Sequence, residues 1–267
     1  MSDKEPKAWI TVHGRHIPIF DKEVHPFVFD KPIAQEIDNN YQDNEDFDRE
    51  KATEEFTAKT GITVDETVKN KLSSSSLQMV YNTISTLSEK YDLDGITIKD
   101  MSDDIVSDGC PAAMRPDGVL YINTKSETSF IQDKEAMDVW YKQSVIAKDH
   151  PNGDSSSIIA HEIAHRLVYK KISDSIQATG LYRRIYFDRI DKALDNKDYF
   201  DKYAKEDPAY TTLVGGITKI LKGHNPADIC NYADKDHHEM LAEAFADVYY
   251  NGSKANVLSK SLYKLFF

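Results

Sequence analysis

The stretch "SSSIIAHEIAHRLVYK", residues 155–170, places two histidines four positions apart and a glutamate directly after the first of them. Positions i and i+4 of a helix lie on the same face, so His161 and His165 can direct both imidazoles at one ion about 2 Å away. Glu162 then lies beside the ion, where its carboxylate can act as a base on a metal-bound water. The segment therefore predicts a helix that carries part of a metal site.

The flanks of this motif predict that the helix is buried. Apolar side chains recur there at helical spacing: Ile158, Ile159, Ile163, Leu167 and Val168. A buried pair of histidines needs hydrogen-bond partners or a metal. The alternative is an ordinary amphipathic helix that carries this pattern by coincidence, in a chain with 9 histidines.

The stretch "HHEMLAEAFADVYYNG", residues 237–252, is the best source of the third protein ligand that a catalytic zinc site needs. Glu243 and Asp247 are again four positions apart on a predicted helix. Small side chains surround them: Ala242, Ala244 and Ala246. We expect this helix to approach the first one closely, with Glu243 as a ligand and Asp247 accepting a hydrogen bond from the free ring nitrogen of a ligand histidine. The alternative is the solvated acidic face of an amphipathic helix.

Composition and charge argue against some classes of function. The chain has 267 residues, of which 40% are hydrophobic and 29% charged, enough for one substantial core. Its net charge of -12 opposes nucleic-acid binding through phosphate neutralisation. No apolar run approaches the roughly 18 residues of a membrane span, and "MSDKEPKAWI" lacks the apolar core of a signal peptide. We therefore expect no nucleic-acid or membrane partner, and two reduced thiols at Cys110 and Cys230.

The order of segments predicts an α+β fold, mainly helical, with a small sheet. Residues 1–70 are expected to form a peripheral or poorly ordered arm. In it, "WITVHGRHIPIF" predicts a hairpin, and the acidic run at residues 38–56 predicts a solvated linker or a loose helix. The compact domain is expected over residues 71–267, with strands at "GITIKD" and "GVLYINT". Its predicted helices are residues 76–91, with a serine cap, and residues 155–172, 174–194, 208–222, 236–250 and 253–265.

At its two motifs the chain resembles the zincin metallopeptidases. His161-Glu162-x-x-His165 matches their HExxH signature, and Glu243-Ala-Phe-Ala-Asp247 is similar to the third-ligand segment of the gluzincin branch. No third histidine follows in "RLVYKKISDS", so the chain lacks the extended pattern of the metzincins. The residues that compete with Glu243 as third ligand are Glu239, His237 and His238.

The resemblance, which spans residues 115–252, implies a zinc-dependent peptidase. Zn²⁺ would be held by the histidine pair and Glu243. Glu162 would act as general base toward the water and then protonate the leaving amine. Tyr249 is expected to stabilise the oxyanion, and the alternatives for this role are Tyr250, Tyr232 and His224.

The resemblance also implies how a substrate binds. In zincins an edge strand precedes the motif helix and accepts the substrate backbone as an additional strand, and "GVLYINT", residues 118–124, is the matching segment. The expected partner is a peptide or protein substrate, bound with weak side-chain selectivity. The ligand set suits zinc best among divalent metals, though not uniquely.

Other classes of function stay open. The N-terminal "WITVHGRHIPI" is similar to a segment of phage and mobile-element structural proteins, including minor head proteins with attached enzymatic domains. This implies a cytoplasmic or virion-associated protein, and one rival is a non-catalytic domain of such a protein that zinc merely stabilises. Two others are a toxin-like effector that docks a delivery apparatus and an acidic adaptor that uses residues 40–56. Glu162 favours the enzyme, because a structural metal site has no need of it.

Overall fold

The computed structural model describes residues 8–12, 15–19, 32–36, 46–101, 110–125, 134–151, 153–179, 183–196 and 208–267. Contacts group the chain into two units, Met1–Asp30 and Lys31–Phe267. The first unit contains an antiparallel hairpin of β1 (Ala8–Val12) and β2 (Arg15–Ile19), as predicted. The residues that join these strands, 13 and 14, lie outside the described parts of the chain.

The second unit contains a mixed sheet of four strands. They are β3 (Thr63–Val64), β4 (Thr97–Asp100), β5 (Ala112–Met114) and β6 (Val119–Ile122). Their order is β3-β4-β6-β5, in which β4 is parallel to both β3 and β6, and β5 is antiparallel to β6. Both strands predicted in this domain, "GITIKD" and "GVLYINT", are confirmed.

The predicted edge strand is an interior strand. β6 lies between β4 and β5, so its backbone groups are paired on both sides, and β5 is the edge of the described sheet. The turn between β5 and β6 requires Gly118, which has a φ of 92° and whose added β-carbon would lie 2.8 Å from the carbonyl oxygen of Gly95. With 3 residues, β5 is too short to produce a recognisable alternation in the sequence.

Helices make up most of the second unit. They are α1 (Arg49–Thr60), α2 (Glu66–Lys71), α3 (Ser74–Ser88), α4 (Lys134–Ile146), α5 (Ser156–Thr179), α6 (Arg183–Asp195), α7 (Pro208–Leu221), α8 (His237–Asn251) and α9 (Val257–Phe266). Short 3-10 turns include Pro226–Asp228 and Tyr232–Asp234. The α+β class with a small sheet is confirmed.

Several helices differ in extent from their predictions. Ser73 caps α3 by accepting a hydrogen bond from the backbone N–H of Ser76 at 3.1 Å, so the expected serine cap is confirmed. α5 runs through the predicted break near residue 173, where the sequence has neither glycine nor proline to end a helix. α4 was not predicted, and its buried face is narrow, with Met137 and Tyr141 as its buried apolar residues.

The sequence predicts that the compact unit starts at residue 71, but in the structure the unit begins earlier in the chain. α1 forms within the acidic run, capped by Asp48, and buries Phe56, whose ring stacks on Tyr81 at 4.3 Å. β3 then joins the sheet beside β4. The buried ring of Phe56 and the pairing of β3 with β4 thus attach the acidic segment to the domain. The charge content of the sequence predicts neither contact. Residues 38–45 of the acidic run lie outside the described residues.

α5 and α8 form the centre of the helical part. Buried apolar side chains from both helices share one core with α6, α7 and α9. Contributors from α5 are Val168, Ile172 and Ile176, and those from α8 are Met240, Leu241 and Ala244. The core holds the two motif helices side by side, as their sequences predict. None of the described helices has the length and apolar content needed to cross a membrane.

Candidate metal centre

The contact between α5 and α8 brings three candidate ligands together. His161 Nε2 lies 3.1 Å from His165 Nε2 and 3.0 Å from Glu239 Oε2, and His165 Nε2 lies 3.5 Å from the same oxygen. Both histidines are buried. The predicted pair on α5 therefore converges, and the carboxylate that meets it is Glu239, one of the competing candidates.

The spacing of these atoms fits a tetrahedral zinc ion. With bonds of about 2.0–2.1 Å, the ligand atoms of such an ion lie about 3.3 Å apart. The separations of 3.0, 3.1 and 3.5 Å lie on both sides of that value. Although the buried Oε2 atom of Glu239 lies close to both ring nitrogens, it forms no hydrogen bond of acceptable geometry with any described residue. An oxygen that faces two ring nitrogens in this way is suited to share a cation with them.

Glu243, the predicted third ligand, lies one turn farther along α8. Its Oε1 atom lies 3.1 Å from Nδ1 of His161 and 2.8 Å from Nδ1 of His150. Glu243 therefore contacts the ring nitrogen of His161 opposite the ligand nitrogen, which is the role expected of Asp247. Four residues are about 1.1 helical turns and about 6 Å of rise, so Glu239 and Glu243 share a face of α8. The axial position of α8 against α5 therefore decides which of the two carboxylates meets Nε2 of the histidine pair.

Asp247 closes the C-terminal end of α8 and does not support a ligand histidine. Its two carboxylate oxygens accept hydrogen bonds from the Asn251 side chain at 2.7 Å and from the backbone N–H of Asn256 at 2.8 Å. Asn256 in turn caps α9 through the backbone N–H of Leu258. Asp247 thus fastens the turn between two core helices, one turn beyond the site.

Tyr249, the expected oxyanion donor, is fully buried and does not line the cavity that opens beside the three candidate ligands. Its hydroxyl donates to Ser156 Oγ at 3.3 Å. Neither Tyr250 nor His224 lines the cavity, whereas Tyr232 does, with its ring centroid 6.1 Å from that of His161. Tyr232 belongs to the 3-10 turn that precedes α8, which is why helix periodicity alone could not distinguish it from its competitors.

Glu162 lies between the metal cluster and the sheet edge. Its Oε2 atom accepts a hydrogen bond of 2.6 Å from the backbone N–H of Met114 in β5. Burial raises the pKa of this carboxyl above its ordinary value, because its surroundings disfavour the charged form. The residue next to the first ligand therefore faces the edge strand, where a backbone carbonyl of a bound peptide could reach it.

The electrostatics of the cluster favour cation binding. Burial disfavours a charged His161, but the carboxylates of Glu243 and Glu239 outweigh it and raise the pKa of His161 well above its usual value. Burial likewise opposes ionisation of Glu239, and its two histidine neighbours outweigh it and lower the pKa of Glu239. One buried carboxylate, Glu243, and one half-buried carboxylate, Glu239, thus concentrate negative potential on one histidine, and a bound cation would satisfy it.

A cavity of about 300 Å³ opens beside the cluster. Its walls come from the β5 segment, from the helices α4, α5 and α8, from the loop before α5 and from the turn before α8: Cys110, Pro111, Ala112, Trp140, Tyr141, His150, Ile158, His161, Glu162, Tyr232 and Glu243. Of these, neither His150 nor Trp140 has a recognisable signal in the sequence. Both precede the motif helix in segments without recognisable ligand spacing, so only tertiary structure brings them to the site.

Comparison of the chain with protein-family models, with curated proteins and with solved structures finds no match. The function of the chain is therefore inferred from the geometry of the site.

Proposed function

We propose that this protein is a zinc-dependent metallopeptidase that hydrolyses peptide bonds of a peptide or protein substrate. The observation that supports the proposal is the convergence of His161, His165 and Glu239, with Glu162 beside them on α5 and a cavity next to the cluster. Three protein ligands leave the fourth position of a tetrahedral ion to water or substrate. Catalytic zinc sites have this pattern, whereas structural sites are usually closed by four protein ligands.

The residues around the cluster have separate roles in the proposed reaction. Zinc, when bound, supplies a polarised scissile carbonyl and a water of lowered pKa. Glu162 accepts the proton of the attacking water at its carboxylate and returns it to the leaving amine. Its raised pKa suits a group that must first take up a proton and then donate it. The phenol of Tyr232 donates a hydrogen bond to the oxyanion that develops on the substrate carbonyl.

The edge of β5 is the proposed seat of the substrate backbone. Hydrogen bonds from β5 to β6 run through Pro111 and Arg115. In an antiparallel pair, alternate residues direct their backbone groups to the opposite side, so those of Ala112 and Met114 point away from β6. The Met114 N–H already donates to Glu162 and the Ala112 carbonyl accepts from the Cys110 thiol, so an extended peptide can pair with this edge through the Ala112 N–H and the Met114 carbonyl. It would then pass Glu162, which contacts Met114.

A second function is favoured by the same contact. The hydrogen bond between Glu162 and the Met114 N–H gives this carboxylate a structural partner, because it joins α5 to the sheet. In a non-catalytic domain, zinc would stabilise the helices and Glu162 would only connect two elements. The open coordination position and the cavity favour the enzyme over this alternative.

A reducing setting, either the cytoplasm or a virion assembled there, is part of the proposal. Cys110 and Cys230 are both free thiols, and paired cysteines are common in oxidising compartments.

Metal content and proteolysis of the full chain test the proposal together. We expect wild type and Glu162→Gln to carry near-stoichiometric zinc by elemental analysis, and Glu239→Gln to carry little. With fluorescein-labelled casein as substrate, Glu162→Gln should be at least about 10²-fold slower than wild type, since a positioned acid–base group contributes about 10²–10⁴. Wild type that takes up no zinc would overturn the metal site. Zinc-loaded wild type that cleaves neither casein nor a mixture of unstructured peptides would favour the structural alternative.

A further inference from the structure

His150 lies in the loop between α4 and α5 and forms part of the cavity wall. The loop turns at Lys148, whose φ of 62° is a conformation that non-glycine residues rarely adopt. The carbonyl of Lys148 accepts a hydrogen bond from Asn231 N–H at 2.7 Å, and that of Asp149 accepts one from Tyr232 N–H at 3.2 Å. The loop that carries His150 is therefore fastened to the turn that carries Tyr232.

The imidazole of His150 is held on three sides. Its ring stacks on Tyr141 at a centroid distance of 5.4 Å and lies 5.3 Å from the ring of Tyr232. Its Nδ1 atom lies 2.8 Å from Oε1 of Glu243. Its side chain is only 23% exposed. A histidine with so many contacts has a fixed orientation, and the carboxylate that its ring contacts is the one that supports His161.

Glu243 depends on this contact. Its side chain is 1% exposed, and a buried carboxylate requires donors. Oε1 faces both Nδ1 of His150 and Nδ1 of His161, whereas Oε2 has no hydrogen-bond partner among the described residues. Without His150, the carboxylate would keep only His161 as a donor. Its plane would then be free to rotate away from the ligand histidine.

A ligand histidine needs such an acceptor. When Nε2 binds a metal, Nδ1 carries the proton and donates it to a neighbouring acceptor, which fixes the tautomer and the orientation of the ring. Glu243 is that acceptor for His161. We propose that His150 is a positioning residue of the metal centre, which orients Glu243 toward His161 without itself binding the metal. This inference depends on the proposed function, because it assigns a role within the same metal site.

Zinc affinity measured by competition with a chelator tests the role of His150 in the full chain. We expect His150→Leu to bind Zn²⁺ about 10–100-fold more weakly than wild type, the usual range for loss of an outer partner of a metal ligand. His150→Asn keeps an N–H donor near the position of Nδ1 and should recover most of the affinity. His224→Leu, at an exposed histidine outside the cavity, is the matched control and should equal wild type.

A second readout separates positioning from a general loss of structure. Loading the variants with Co²⁺ reports the ligand geometry through the visible absorption bands. His150→Leu should alter these bands, and His150→Asn should restore them. Thermal unfolding of the metal-free variants measures the fold alone. Since His150 acts through Glu243, His150→Leu combined with Glu243→Gln should bind Zn²⁺ no more weakly than Glu243→Gln by itself.

The possible results distinguish this inference from the proposed function. Wild type without zinc binding overturns both. Wild type that binds zinc, together with a His150→Leu variant of unchanged affinity and unchanged Co²⁺ bands, overturns the inference and leaves the metallopeptidase proposal intact. Equal weakening in His150→Leu and His150→Asn also overturns it, because the N–H donor would then be irrelevant. If His150→Leu fails to fold, the zinc affinities of His150→Asn and His150→Phe are compared instead, because only His150→Asn keeps an N–H donor.

Discussion

α5 and α8 each offer two candidate site residues four positions apart, but only on α5 does the structure bring the predicted pair together. His161 and His165 meet at 3.1 Å, as two side chains on one helical face should. On α8 the predicted pair, Glu243 and Asp247, is displaced by one turn, and the carboxylate that lies against the two histidines is that of Glu239. Relations within one helix follow from its geometry, whereas the axial position of one helix on another is set by packing.

The first turn of α8 shows how helix packing places Glu239 opposite the histidines. Asp236 caps the helix by accepting a hydrogen bond from the backbone N–H of Glu239 at 2.8 Å, so Glu239 lies in the first turn. A carboxylate there is favoured by the positive end of the helix dipole. The turns that follow fill the shared core through Met240, Leu241 and Ala244. These contacts seat the first turn, and not the second, opposite the histidines.

The largest expected effect separates the two glutamates of α8. Glu239→Gln should abolish stoichiometric zinc binding, because it removes a ligand, whereas Glu243→Gln should weaken zinc by about 10–100-fold, because it removes the partner of a ligand. The two variants differ only in position by one helical turn, so each is the control for the other. Zinc titration against a chelator measures both. Greater loss in Glu243→Gln would restore the assignment predicted from sequence.

The next effect compares Tyr232, in the turn before α8, with Tyr249, near the C-terminal end of α8. Tyr232→Phe should lower kcat by about 10²–10³, the usual consequence of removing one donor to an oxyanion, while zinc content stays constant. Tyr249→Phe is the matched control, since Tyr249 lies near the C-terminal end of α8, outside the cavity, where its hydroxyl donates a hydrogen bond to Ser156. Peptidase kinetics on the zinc-loaded proteins measure both. A kcat loss confined to Tyr249→Phe would contradict the assignment of Tyr232.

The sequence predicts most of the fold, because most of its helices and strands have local signals. The serine cap of α3, the apolar stripe of α5 and the β-branched strands β4 and β6 depend on residues a few positions apart. β5 and α4 lack such local signals, because β5 has only 3 residues and α4 has a narrow buried face. The choice of edge strand fails for a different reason, since strand order depends on long-range pairing.

The same distinction between local signals and long-range contacts applies to the residues of the candidate site. His161, Glu162 and His165 are predicted because one helix fixes their relation. Glu239 stood among the alternatives, and nothing local could select it over Glu243. His150 left no trace in the sequence, because its contact with Glu243 joins residues 93 positions apart. Chemistry within one turn of a helix can be inferred from sequence, and chemistry between segments requires the packing.

A smaller effect should follow from moving α8 without touching a ligand. Ala244 is fully buried in the core shared with α5. Ala244→Leu should lower the free energy of unfolding by about 1–3 kcal/mol through overpacking, and should also weaken zinc binding by displacing Glu239. Val257→Leu, at a side chain that is 63% exposed, is the control and should change stability by less than about 0.5 kcal/mol. Denaturant unfolding of the metal-free protein and zinc titration measure the two effects.

If Ala244→Leu lost stability but kept wild-type zinc affinity, the position of α8 would not be set by this core. The ligands themselves would then hold the helix in place through the metal.

The smallest effect concerns the second ligand histidine. His165 Nδ1 is buried and has no hydrogen-bond partner among the described residues, in contrast to Nδ1 of His161. A second carboxylate–histidine pair, Asp191 with His238 at 3.0 Å, lies on another side of His165, and the ring of His238 lies 6.0 Å from that of His165. Ring packing transmits orientation less strongly than a hydrogen bond, because it does not select a tautomer. Asp191→Asn should therefore weaken zinc binding less than Glu243→Gln does, by about a few-fold. An equal loss in the two variants, measured by the same chelator titration, would mean that both histidines are held by carboxylates, with an ordered water completing the connection from His165 to His238.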